Sequence, residues 1–125
     1  MLFRSVLGWF FGLSRVQFAT LLPKSITTAI GIGLSKELGG ISDITVAAIT
    51  VSGILGNVMA SKICSLLGIE DPLAVGLSIG TASHALGTVR ALEIGEVEGA
   101  MSGLAIVVTG LLTVLVAPLF MSLIC

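Results

Sequence analysis

The stretch from Gly99 to Cys125 contains no charged side chain, and the stretch from Ile44 to Leu67 contains none except Lys62. Each is long enough to cross a bilayer as a helix, which takes about 20 predominantly apolar residues. Neither alternates polar with apolar residues as the strand of a transmembrane barrel would. Lys62 can snorkel to an interface, and Pro118 is tolerable near a helix end or as a kink. The remaining residues could not coat a water-soluble surface. Only 10% of the 125 residues are charged and 55% are hydrophobic, with a mean hydropathy of +1.16; an ordinary soluble domain is about 25% charged. The sequence predicts an all-α integral membrane protein, with residues 1–125 forming a single transmembrane domain.

Several functions are excluded at the same step. Six basic and seven acidic residues are spread along the chain, leaving a net charge of -1. No basic run interleaved with aromatics exists, so nucleic acid is not a partner. Cys64 and Cys125 lie far apart in apolar surroundings and read as small hydrophobes. With His84 as the one histidine, no zinc-type cluster of ligands is available. Neither a Ser-His-Asp order nor a pair of catalytic carboxylates stands out, so no enzyme and no cofactor is expected. Residues Met1 to Leu13 carry Arg4 and an apolar run but no small-x-small cleavage site before Arg15. They read as a clipped or short first span rather than a signal peptide. Basic residues are distributed too evenly for the positive-inside rule to orient the chain.

Two further segments are apolar but interrupted, giving about four to five hydrophobic helical segments in all. Phe18 to Leu38 contains Pro23, Lys24, Ser25, Thr27 and Thr28 in its first half. Pro72 to Ile94 starts with proline after Asp71, a favoured helix opening, turns polar at Ser83 and His84, and resumes past Gly87. An interrupted segment, a Glu-apolar-Gly turn (Glu37 to Gly39, Glu93 to Gly95) and a regular span then occur twice in that order. The spans starting near Thr45 and Ser102 also resemble each other. This order suggests an internal repeat, and paired interrupted segments point to a transporter's binding site.

The chemistry sits at the interruptions. Proline disfavours helix in the residue before it, so the chain should break near Leu22 and start a new helix at about Pro23. That start offers unpaired N–H groups and a positive dipole end. Lys24 and the hydroxyls of Ser25, Thr27 and Thr28 stand beside it and suit an anion. The plainer reading is an interfacial lysine with hydroxyls that cap the helix. In the second cluster, Gly76, Gly80, His84 and Thr88 fall four apart, on one stripe of a continuous helix. The glycines would admit a neighbouring backbone, and His84 titrates in the range useful for proton transfer. A buried histidine satisfied by a hydroxyl is the alternative. Arg90 and Glu93, three apart, can neutralise each other or, at membrane depth, serve function. Asn57 reads as a hydrogen-bonding contact between helices.

These clusters carry a family resemblance. Pro23-Lys24-Ser25-Ile26-Thr27-Thr28, the Gly39-Gly40-Ile41 turn, the run from Gly80 through Thr81, Ser83, His84, Gly87, Thr88, Arg90 and Glu93 to Gly95, and Glu98-Gly99-Ala100-Met101-Ser102 resemble the signature stretches of the LrgB/CidB membrane protein family. The resemblance covers the chain from about Leu21 onward. It implies a multi-pass protein of the bacterial inner (plasma) membrane, or of the plastid envelope in plants. Its bacterial members are described as antiholin-like, tied to murein hydrolase control and lysis beside a holin-like LrgA/CidA partner. Plant relatives resemble glycolate/glycerate translocators, and some bacterial members are associated with pyruvate uptake. The sequence departs from the pattern at Ala29, where the family commonly has proline. Family members usually have further spans before the Pro-Lys-Ser motif, and here Met1 to Thr20 precedes it. The chain is therefore expected to be the C-terminal part of a longer architecture.

Together these readings give two expectations. In the first, a carrier of small monocarboxylates binds its anion with Lys24, Ser25, Thr27, Thr28, Ser83, His84, Thr88 and Arg90, and His84 or Glu93 couples a proton. In the second, an antiholin-like regulator acts through helix contacts on its holin-like partner. Lipid, a small organic anion and further copies of the chain are the expected partners.

Overall fold

The structure, a computed structural model, describes residues 10–124, and these are helical without strands. The proposed first span, Met1 to Leu13, lies mostly outside them. Helix α1 (Arg15–Leu21) leads into a 3-10 turn, Leu22–Ser25. It is followed by α2 (Thr28–Glu37), α3 (Ser42–Leu66), α4 (Pro72–Ile94) and α5 (Glu96–Ile124). Ser14 and Gln17 form a capping box at the start of α1. Helices α2 and α3 both end in Schellman motifs. Gly39 and Gly68 take φ of +79° and +67° and donate to Lys36 O and Ser65 O, and the next residues, Gly40 and Ile69, donate to Ser35 O and Cys64 O.

Helices α3 and α5 are the two elements long and apolar enough to cross a membrane, with 25 and 29 residues. They match the two long apolar stretches of the sequence. Pro118 lies inside α5 near its end, on the exposed side.

Helix α4 is not one continuous rod. Its Asp71 carboxylate caps the start, accepting from Leu73 N and Ala74 N at 2.9 and 3.0 Å, with Pro72 in the first turn. At His84 the backbone leaves the helix (φ 49°, ψ -136°), and the chain turns back on itself. A Cβ at Gly87 would stand 3.2 Å from Ile79 O, although a continuous helix would separate these residues by about 12 Å. Val75 and Ala91 likewise share one buried cluster with Ala60 and Cys64. The pairs 79/87 and 75/91 centre on Ser83. Helix α4 is therefore a hairpin with arms 72–83 and 85–94, each about 15–18 Å long, and both of its ends lie at the same end of the bundle. The expected single stripe of Gly76, Gly80, His84 and Thr88 is corrected by this reversal: the glycines are on the entering arm and Thr88 is on the returning one.

The first interrupted segment also folds back, less regularly. A Cβ at Gly31 would stand 3.5 Å from Pro23 O, and one at Gly40 would stand 2.8 Å from Ala19 C. Ile26 and Leu34 share a buried cluster. The segment from Ala19 to Ile26 thus enters and α2 returns. The break near Leu22 is present, but the α-helix begins at Thr28 rather than Pro23. A 3-10 turn and the extended Ile26 (φ -131°, ψ 177°) intervene, because Pro23 opens the short 3-10 turn instead.

The two hairpins divide the spans between them. The first packs along the start of α3, through Thr20 with Ile41 and Thr45 and through Gly31 with Ile49. It also packs along the end of α5, through Phe18 with Phe120, Ala19 with Met121, and Ile26 with Ala117. The second packs along the end of α3, through Gly56 with Ser83, Asn57 with Leu86 and Ser61 with Arg90. On α5 it meets the beginning: a Cβ at Gly76 would stand 2.9 Å from Glu98 Cα, and one at Gly80 would stand 2.8 Å from Ser102 Cα. The hairpins therefore enter from opposite ends, and their tips approach midway along both long helices.

Candidate functional site

The 3-10 turn at the first tip packs against both α3 and α4, so the two polar motifs of the sequence become neighbours in space. Lys24 lies in that turn, half-buried. The Ser25 hydroxyl oxygen is buried without a hydrogen-bond partner. Thr27 is the N-cap of α2 by backbone conformation, but its side chain makes no capping bond. Thr28, the first helical residue, is exposed. The first N–H groups of α2 accordingly receive no capping bond from the Thr27 side chain.

At the second tip Ser83 and His84 are buried, at 3% and 4% exposure. Ser83 sits directly on Gly56, where any Cβ would overlap its side chain. The Thr88 hydroxyl lies 2.9 Å from His84 O and 2.7 Å from the fully buried Ser102 hydroxyl. A threonine hydroxyl carries one hydrogen; with Thr88 donating to His84 O, Ser102 donates to Thr88. This chain of bonds links the returning arm to α5 and holds the bend. Asn57 Nδ2 donates to Leu86 O at 2.7 Å, two residues past the bend.

Arg90 and Glu93 lie elsewhere. Arg90 Nη1 donates to Glu93 Oε2 at 2.7 Å and Nε donates to Ser61 Oγ at 3.0 Å. Their side chains are 41% and 59% exposed, and Arg90 is about 9 Å down the returning arm from His84. The site residues thus fall into a tip group (Lys24, Ser25, Thr27, Thr28, Ser83, His84, Thr88) and a base pair, Arg90 with Glu93. No group of three or more metal-binding side chains occurs among the described residues. An open apolar cavity of about 420 Å³ adjoins the first tip between Thr27, Ile30 and the Ile106 to Leu115 face of α5.

Sequence reasoning missed Ser102, Ser61 and a buried hydroxyl cluster. Thr20 Oγ1 accepts from Ile41 N at 2.8 Å, and Thr45 Oγ1 lies 2.8 Å from both Thr20 O and Ser35 Oγ. All three side chains are at most 3% exposed. Their sequence separations of 10 and 25 carry no local signal.

Fold and site together define a helical protein with two span-length apolar helices and a polar centre made by opposed hairpin tips. The chain belongs to the LrgB-like family, whose profile matches residues 1–123. It is 43% identical over 112 residues to the antiholin-like protein LrgB of Bacillus subtilis, covering 90% of this chain and 48% of that protein. It is 41% identical over 108 residues to the holin-like protein CidB of Staphylococcus epidermidis, covering 86% and 47%. With the antiholin-like protein LrgB of Bacillus mycoides it shares 38% over 110 residues, covering 88% and 48%. The chain spans about half the length of these relatives. Their names are those of antiholin-like and holin-like proteins, not of enzymes. No solved structure matches it significantly.

Proposed function

We propose that this chain handles the solute in a multi-pass inner-membrane carrier of small monocarboxylates, anions of the pyruvate or glycolate kind. The observation that carries the reading is the meeting of two hairpin tips midway along two span-length helices. Membrane embedding is supported by α3 and α5: only 22% of the most apolar stretch of each is buried, whereas the core helix of a soluble protein would be mostly covered. The hairpin arms are about half the 30 Å thickness of a hydrocarbon core, so the tips would stand near its midplane. Non-helical backbone at that depth is tolerated where protein buries it or where it lines a cavity.

Chemistry favours an anion there. Both returning arms, α2 and 85–94, start at a tip, so their positive dipole ends face the same region. Half-helix N-termini serve anionic groups in this way in transporters with broken helices. Lys24 supplies charge, while Ser25, Thr27, Thr28, Ser83 and Thr88 are the hydroxyls available to replace hydration. His84 is the proton-coupling candidate at the tip; Arg90 and Glu93 would act at the entrance. Two hairpins entering from opposite ends, each followed by a span, also support an inverted internal repeat. The test is uptake of labelled pyruvate or glycolate into proteoliposomes containing this chain. Saturable uptake that is lost in Lys24→Ala and His84→Ala supports the reading; uptake no faster than in empty vesicles overturns it.

The names of the relatives favour a second reading, an antiholin-like regulator assembling with further copies or with a holin-like LrgA/CidA partner. Co-purification with such a partner, without solute flux, would select it.

A further inference from the structure

We propose that Asn57 and Ser61 of α3 form a latch on the second hairpin, and that its release opens the space between the tips toward the membrane face from which that hairpin enters. The solute that passes rests on the carrier reading; the motion does not.

The argument begins with how differently the two hairpins are fastened to α3. The first is held by Thr20, Ser35 and Thr45, whose hydroxyls are almost completely buried and bond to one another and to backbone. The polar fastening of the second to α3 is two bonds, Asn57 Nδ2 to Leu86 O and Arg90 Nε to Ser61 Oγ. Asn57 and Ser61 are only half-buried, and the Arg90 side chain is 41% exposed. Residues 57 and 61 are four apart on α3, as 86 and 90 are on the returning arm, so the two bonds lie in register along one seam.

The rest of that seam is small-residue packing. Gly53 lies under Leu86 and Gly56 under Ser83, and farther along Ala60 and Cys64 meet Val75, Ile79 and Ala91 in one buried cluster of mostly small side chains. Toward α5 the attachment is of another kind. Gly76 and Gly80 let the entering arm rest on the backbone of Glu98 and Ser102, Gly99 admits Leu92, and Gly95 alone joins the returning arm to α5. The second hairpin and α5 therefore form one unit, and the α3 seam is where separation occurs. Arg90 also keeps Glu93 as a partner at 2.7 Å, so letting go of Ser61 does not strand its charge. Opening then requires loss of two hydrogen bonds, each a modest net contribution, and of the apolar contacts of Ala60 and Cys64 with the hairpin.

The experiment reads accessibility, not transport. In the full chain carrying Cys64→Ala and Cys125→Ser, Ser83→Cys is placed at the second tip and vesicles are exposed to a membrane-impermeant methanethiosulfonate, one face at a time. With the latch intact, labelling is slow. Asn57→Ala with Ser61→Ala should raise the rate about tenfold, and only from the face that labels Glu70→Cys. Ser61→Ala alone leaves all the packing in place and should raise it about threefold, which guards against misfolding of the double variant. Unchanged rates in both variants, or equal increases from both faces, would overturn the latch. Faster one-sided labelling without pyruvate or glycolate uptake would leave the latch standing and remove the carrier reading. Uptake with unchanged labelling would do the reverse.

Discussion

Gly87 rests on Ile79, eight residues earlier in the sequence. A Cβ at position 87 would stand 3.2 Å from the Ile79 carbonyl oxygen, and 3.0 Å from its side chain at Cγ2. That contact exists only because the chain reverses at His84, and it leaves no room between the arms. Gly87→Ala is therefore expected to push the arms apart and to destabilise by about 1–3 kcal/mol, the range for overpacking. Gly103→Ala on α5, where an added Cβ meets nothing within 4 Å, should be neutral or stabilising by up to about 1 kcal/mol from helix propensity. Thermal melting of the two variants in detergent checks both; equal melting temperatures would show that the arms do not touch.

The reversal also fixes which loops share a side. If α4 spanned, Glu70 and Glu96 would flank it on opposite faces of a membrane. As a hairpin it returns to its starting face, and the exposed Glu70 and Glu96 lie together, with Lys36 at the other end of α3. Single-cysteine variants Glu70→Cys and Glu96→Cys should therefore react with an impermeant thiol reagent from one face, and Lys36→Cys from the other. Labelling of Glu70→Cys and Glu96→Cys from opposite faces would refute the hairpin.

His84 is the one non-glycine residue with positive φ among the described residues. Backbone held in such a sparsely populated region stores about 1–3 kcal/mol, which glycine would not incur. Removing the imidazole with His84→Gly also removes this strain, whereas His84→Ala keeps it. The glycine variant should melt higher than the alanine variant by an amount equivalent to about 1–2 kcal/mol, with both defective in any step that needs the ring. An alanine variant as stable as the glycine variant would mean that the bend is relaxed.

Much of this arrangement could be read before the structure, and the exceptions have a common cause. Helices α3 and α5 announce themselves because a long uncharged stretch is a one-dimensional property. So do the break near Leu22, which follows from the ring of Pro23, and the start at Pro72, which follows from Asp71. The interruption at Ser83 and His84 is legible from their polarity, but the reversal there is not: Ala82, Ala85 and Leu86 favour helix, and no proline or glycine stands at the bend. What turns the chain is distant in sequence, with Gly56 receiving Ser83 and Ser102 bonding Thr88. One signal was available, the concentration of Gly76, Gly80 and Gly87 around Ser83 in arms half the length of a span. Nearness in sequence to His84 and Thr88 does not bring Arg90 to the tip. Its partner Ser61 comes from another helix.

Thr45 shows how a polar residue inside an apolar span can be structural. Its hydroxyl has Thr20 O and Ser35 Oγ at 2.8 Å and Ile41 O at 3.1 Å, and the residue is fully buried. One hydrogen serves one of these acceptors, and the Ser35 hydroxyl can donate to Thr45 in turn. Thr45→Val keeps shape and β-branching but removes both roles, leaving Ser35 and Thr20 O underbonded in a buried site. The expected loss is about 1–3 kcal/mol, the desolvation of an unsatisfied buried group. Thr50 provides the comparison: it is exposed on the same helix and bonds only its own helix's Val46 O. Thr50→Val should change stability by less than about 0.5 kcal/mol. Because Thr45 joins the first hairpin to α3, its loss should also raise proteolytic cleavage near Gly39 and Gly40, whereas Thr50→Val should not. Equal effects at the two positions would mean that the buried hydroxyl cluster contributes nothing to holding that hairpin in place.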